Sequence, residues 1–174
     1  MRRATRVPRR VLAGMMLASA ACNVSAQLAD LDPDWQESEL PAPPMFRADR
    51  LVPVEMPRHI TLQVGVDPET LRLTADGLVR YVVVAKSSSG TINATYEAIR
   101  CLTGEVKTYA RYSANGQWIP MVKPQWKPLT QNQPSPHAIV LAQQGLCSGR
   151  SVAARSSAEI VKRLTAVAVD TYQK

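Results

Sequence analysis

LVRYVVVAKSSSGTINATYEAIRC, residues 78–101, decides the fold class of this chain. Val, Ile, Thr and Tyr, which fit a pleated, half-buried surface, fill both ends of it. Ser87, Ser88 and Ser89 followed by Gly90 are turn chemistry, because small hydroxyl side chains bond their own backbone and glycine tolerates positive φ. The stretch therefore predicts two antiparallel strands, 78–86 and 92–102, joined by a hairpin. Residues 78–85 put apolar side chains on both faces, interrupted by Arg80. That pattern predicts a central strand whose two faces both need cover.

The flanks extend the sheet. Residues 60–66, 71–74 and 105–112 are further short β-rich runs. Asp76-Gly77 and Asn115-Gly116 are strong hairpin dipeptides, since both central positions of a type I′ turn need φ > 0. Strands joined so closely in sequence pair in order, which gives a meander. In residues 105–112, Val106, Thr108, Ala110 and Tyr112 alternate with Glu105, Lys107, Tyr109 and Arg111, which predicts one solvated face. Near the end of the chain, Ser156 with Glu159 three residues later is a capping box, and Ile160, Val161, Leu164, Val167 and Ala168 recur at helical spacing towards Tyr172. A shorter helical or irregular piece over 138–145 precedes it, after a loop marked by Pro124, Pro128, Pro134 and Pro136. The expected fold is α+β: an antiparallel meander of about five strands packed by one C-terminal helix.

Residues 27–50 read differently, with four prolines, six acids and no periodicity. They predict an extended, partly mobile acidic arm, leaving 51–174 as the single folded domain. Trp35 and Phe46 are the arm's aromatic anchors, pegging it to the domain surface. The run ELPAPP, residues 39–44, also suits a polyproline-type ligand for a partner. On the peg reading, removing 27–45 costs little stability.

Residues 1–26 hold no acid and five arginines, all of them before an apolar run at 11–21. That is the outline of a signal peptide, too short to span a bilayer, with Val24-Ser25-Ala26 as the cleavage site and Gln27 as the mature N-terminus. The rival reading is a lipoprotein acylated at Cys22, the one route from this sequence to membrane association. The Arg9-Arg10 pair also hints at twin-arginine export. Of 21 Lys and Arg, the leader removes five, leaving 16 against 14 acids, a net charge of +2. With Arg80, Arg100, Lys107 and Arg111 spaced singly, no nucleic-acid-binding patch is expected.

An oxidising compartment governs the cysteines. Once the leader is gone, Cys101 and Cys147 remain, and they are expected to pair and tie the sheet to the helical layer. A reactive thiol instead needs a histidine base, and His59 and His137 sit in no recognisable motif. Metal-ligand spacings, phosphate loops and hydrolase elbows are not seen, so no catalytic residue, metal or cofactor is assigned. Arg80, Glu97 and Arg100 form a candidate recognition patch, in which arginine holds a carboxylate or phosphate, or else a structural ion-pair cluster.

Residues 67–118, with their DG-VRY-VV and YE-IRC-T-E-K-YA patterns, resemble the core of a bacterial envelope family named after a cryptic neisserial protein. The likeness extends to the leader, the WQE-ELPAPP-like arm at 35–44, the second cysteine and Glu159-Ile160-Val161. It departs over residues 131–147, including His137, where the family pattern is richer in histidine and aromatics. A fainter likeness, over about half the chain, is to surface-adhesin domains of the protein E type. The resemblance implies an exported domain and no particular activity. The expected function is a non-enzymatic envelope or periplasmic domain that binds or supports an envelope protein or ligand. The alternative is a hydrolase whose site is assembled from residues scattered in sequence.

Overall fold

The computed structural model describes residues 32–130 and 135–172, with side chains of the last helix described through Ala168. The leader, Cys22 and the first residues of the arm lie outside the described residues. Those that are described fall within one compact unit, Leu31–Lys174.

Three long strands form the middle of the sheet: β4 (Leu78–Lys86), β5 (Ile92–Arg100) and β6 (Glu105–Tyr112). They pair antiparallel in sequence order, as hairpin connections dictate. Short strands extend both sides: β1 (Val52–Pro53), β2 (Gln63–Val66), β3 (Arg72–Leu73), β7 (Trp118–Pro120) and β8 (Lys127–Pro128). The sheet order is β1-β2-β4-β5-β6-β7. Strands β2 and β3 share one edge of β4, at residues 83–86 and 79–80 respectively, while β7 and β8 share the outer edge of β6. The sheet has eight strands rather than about five, because pieces of two or three residues carry too little pattern to be read as strands.

One face carries Val79, Tyr81, Val83, Ile99 and Val106, packed against Leu141, Leu146, Ile160 and Leu164. These last four come from helix α1 (His137–Leu141), the π-helical turn Ala142–Leu146, and helix α2 (Ser157–Tyr172). Ser156 begins α2 by accepting the Glu159 N–H, while Glu159 accepts the N–H of Arg155. On α2, Ile160, Leu164 and Ala168 are buried, whereas Val167 is 41% exposed and belongs to the rim. A small hairpin, β9 (Cys147–Ser148) with β10 (Ser151–Val152), links the helical pieces. Cys101 and Cys147 are disulfide-bonded, Cα to Cα 5.7 Å, joining the end of β5 to this layer.

The opposite face carries Leu78, Val82, Val84, Ala94, Tyr96 and Ala98. It is covered by the arm, through Trp35, Phe46 and Ala48, together with Leu51, Trp118 and Trp126. Trp35 and Phe46 dock the described part of residues 27–50 onto the sheet, and this part supplies the second layer that a two-sided apolar β4 demands. The solvated face expected of β6 is corrected. A β-bulge sets Tyr96 opposite Ala110 but Glu97 opposite Thr108, so Tyr109 is the extra residue on β6. The alternation slips by one there, and Tyr109 and Ala110 are both buried under the arm.

Candidate functional site

Each face of the sheet holds one polar constellation. On the arm side, Arg80 sits in the middle of β4 and is 3% exposed. Its guanidinium donates to the carbonyl oxygens of Glu39 (2.9 Å) and Ser38 (2.8 Å) and to the Ser38 hydroxyl (3.1 Å). Its Nε is buried with no acceptor among the described residues. Arg100 lies over the Trp35 indole, Cζ 3.6 Å from the ring centroid. The Trp35 indole N–H donates to the Asp76 carbonyl, and the Asp76 carboxylate accepts the Ser38 N–H. Glu37 reaches Lys107 at 2.7 Å and accepts the Tyr109 hydroxyl at 2.6 Å. Burial, and then Glu37, push the Tyr109 hydroxyl's pKa far upward, so it stays a donor. Further along, the Trp118 indole N–H donates to the Pro44 carbonyl, and Phe46 packs edge-on against Tyr112 and Trp118. The arm is thus held by its main chain and its side chains together, as an extended proline-containing segment among aromatic and cationic groups of the sheet.

On the helical side, Glu97 is 3% exposed, and its carboxylate is saturated with donors. It accepts the hydroxyls of Tyr81 (3.2 Å), Thr95 (3.0 Å) and Thr108 (3.1 Å). His137 Nε2 lies 2.8 Å from the same carboxylate, and His137 Nδ1 lies 2.8 Å from the Ser135 hydroxyl. Burial alone raises a carboxyl pKa, but His137 and the hydroxyl donors outweigh it here and hold Glu97 below its ordinary value. Burial alone lowers an imidazole pKa, and the Glu97 charge and hydrogen bond reverse that for His137, whose pKa is raised. Because an ionised carboxylate only accepts, Nε2 carries a proton and Nδ1 faces Ser135. Burial, then Glu97, keep the Tyr81 hydroxyl protonated.

The three residues expected as one recognition patch are therefore divided. Arg80 is opposite Ala98 and Tyr81 is opposite Glu97 in the β4–β5 register, so Arg80 and Arg100 face the arm while Glu97 faces the helices. Alternate residues of a strand point to opposite faces, and 97 and 100 differ by an odd number. Neither reading of Arg80 with Glu97 as a cluster on one face stands. The partner of Arg80 is the arm's own backbone, which was legible only as an unexplained charge in an apolar strand. His137, set aside for want of a motif, is the partner of Glu97 across 40 residues of sequence.

Open clefts lie elsewhere among the described residues. One of about 560 Å³ is lined by Leu51, Val54, Glu55, Ile60, Leu62 and Lys86, and a smaller one adjoins the disulfide at Cys101, Gly104 and Arg150. Ser87 and Ser89 bond each other and Thr91 within the 87–91 turn, and their hydroxyls close that loop. Among the described residues no three His, Cys, Asp or Glu side chains gather as a metal site requires, and no helix is long and apolar enough to cross a membrane.

The chain belongs to the CNP1-like family, whose model matches residues 30–165, from the arm to the middle of α2. Neither a curated protein nor a solved structure matches it. Family membership covers both constellations and assigns neither a reaction nor a ligand.

Proposed function

We propose that the protein is exported to the cell envelope and there binds or supports another envelope component through the β7 edge of its sheet. The observation that carries this reading is a set of large apolar side chains left in water on β7 and beside it. Val122 is 88% exposed, Met45 82% and Ile119 57%. Ile119 lies on β7, Val122 follows it, and Met45 sits on the arm between Pro44 and Phe46, both of which touch Trp118 of β7. Exposed apolar groups gathered at one place mark interaction surfaces. Strand β7 also ends the sheet path, so its outer main-chain groups face outward. Exposed Arg111, paired opposite Ile119, and exposed Lys123 flank the strip. The partner is accordingly an apolar surface rimmed by acidic groups.

Export rests on the leader of residues 1–26, with a mature N-terminus at Gln27 and the protein free in the periplasm. Acylation at Cys22 is the alternative route to the envelope. The test is a photoreactive residue at position 122, with one at exposed position 162 on α2 as control, in cells that make the full chain. The reading expects a discrete adduct with an envelope component from position 122 alone. Equal or absent adducts from both positions contradict it.

A further inference from the structure

We propose that Ser135, His137 and Glu97 form a nucleophilic relay that transfers acyl groups from small, accessible esters. This goes beyond binding and gives the trio a chemical task. The three groups stand in line: the Ser135 hydroxyl 2.8 Å from His137 Nδ1, and His137 Nε2 2.8 Å from the Glu97 carboxylate. This is the order a nucleophile, its base and the base's orienting carboxylate require. Ser135 is exposed, as an attacking oxygen must be, and His137 is partly buried. Glu97 is deeply buried and fixed by three hydroxyl donors from β4, β5 and β6. With Nε2 protonated towards Glu97, the Nδ1 lone pair points at the Ser135 proton.

The reaction balances within the trio, ester and water. Ser135 Oγ bonds to the acyl carbon as its proton passes to His137 Nδ1. The ester C–O bond then breaks and the departing alcohol takes that proton, leaving acyl-Ser135. Water supplies hydroxide to the acyl carbon and a proton to His137. When the Oγ–acyl bond breaks, Ser135 recovers the proton, and the net reaction is ester plus water to acid plus alcohol. His137 is the base that handles the reacting proton, and Glu97 is a positioning residue. Neither cleft described above is lined by Ser135. The substrate class is therefore an unhindered ester, such as an O-acetyl group, presented on a flexible carrier that reaches the surface. A purely structural trio makes the same hydrogen bonds, with Ser135 merely orienting His137, and has no reactivity.

The experiment uses the full chain with a small alkyl fluorophosphonate, in which Ser135 Oγ displaces fluoride, and with p-nitrophenyl acetate. The proposal expects one phosphonyl adduct on the Ser135 peptide, no adduct in Ser135→Ala, and about a hundredfold slower labelling in His137→Gln, the scale of lost general-base catalysis. Because removing His137 can unfold the protein, the pH profile of the unaltered chain serves as a second reading, with labelling accelerating as His137 loses its proton. In Glu97→Gln, if it folds, that acceleration moves to lower pH. Absence of an adduct at Ser135, or labelling that is independent both of pH in this range and of His137, overturns the proposal.

Discussion

Arg80 and Ser38 meet across 42 residues of sequence: the buried guanidinium in the middle of β4 donates to the carbonyl oxygen of Ser38 at 2.8 Å, and to its hydroxyl. A cation 3% exposed is stable only where acceptors replace water, and here the arm's backbone supplies them. The arm and the sheet therefore depend on each other. Arg80→Ala should lower stability by about 2–4 kcal/mol, from lost charge-assisted hydrogen bonds and an unfilled volume. Removing the chain up to residue 47 also uncovers the face occupied by the partly buried Trp35 and Phe46, each contributing less than the roughly 1.5–3 kcal/mol of a fully buried apolar side chain. Urea denaturation of the truncated and substituted proteins measures both. A truncated chain as stable as the whole one would return the arm to the status of a loose peg.

Much of this was legible in the chain and some was not, for identifiable reasons. The β3–β4 and β4–β5 hairpins, β6 and α2 follow from local signals: Asp76-Gly77, the serine turn, alternation, and the Ser156–Glu159 box. The separation of Glu97 from Arg80 and Arg100 follows from strand parity alone once the register is known. The bulge at Tyr109 was not legible, since it shifts the alternation without leaving a glycine or proline as a mark. Nor was the choice of what covers the second face, because a proline-rich acidic segment has no periodicity, and its docking depends on side chains 40 residues away. The Glu97–His137 contact has the same character: each residue alone looks unremarkable, and only the fold brings them together.

Stability should depend on pH through that pair. His137 has its pKa raised above the ordinary 6.5, so its contribution is complete below 6.5 and is lost as pH rises through the folded-state value. Glu97 has its pKa lowered below the ordinary 4.5, so its contribution is complete above 4.5 and is lost as pH falls through the folded-state value. The pair supports the fold most between about 4.5 and 6.5. Urea midpoints taken from pH 4 to 8 should decline on the alkaline side in the native chain, and that limb should flatten in His137→Gln. An identical alkaline limb in the two proteins would assign the decline to other groups.

The Cys101–Cys147 bond closes a loop of 46 residues, for which chain entropy gives about 4 kcal/mol. The double change Cys101→Ala with Cys147→Ala should cost roughly 2–5 kcal/mol. Protein recovered from the periplasm should show no free thiol on unfolding without reductant. Two thiols per chain in that titration would mean that the bond does not form in the cell.

Processing is open to direct weighing. Intact-mass analysis of envelope protein should give a chain starting at Gln27 with no lipid. An acylated Cys22 would place the domain on a membrane by a short tether and make the arm its link to the surface.

Whether the β7 edge engages an envelope partner is read from an affinity pull-down from envelope fractions with the native chain and with the double change Ile119→Glu and Val122→Glu. Both positions are exposed, so circular dichroism and melting temperature should be the same for the two proteins. The account predicts a discrete component retained by the native chain and lost at least tenfold in the altered one. Recovery of the same component by both proteins, or of none by either, would contradict it.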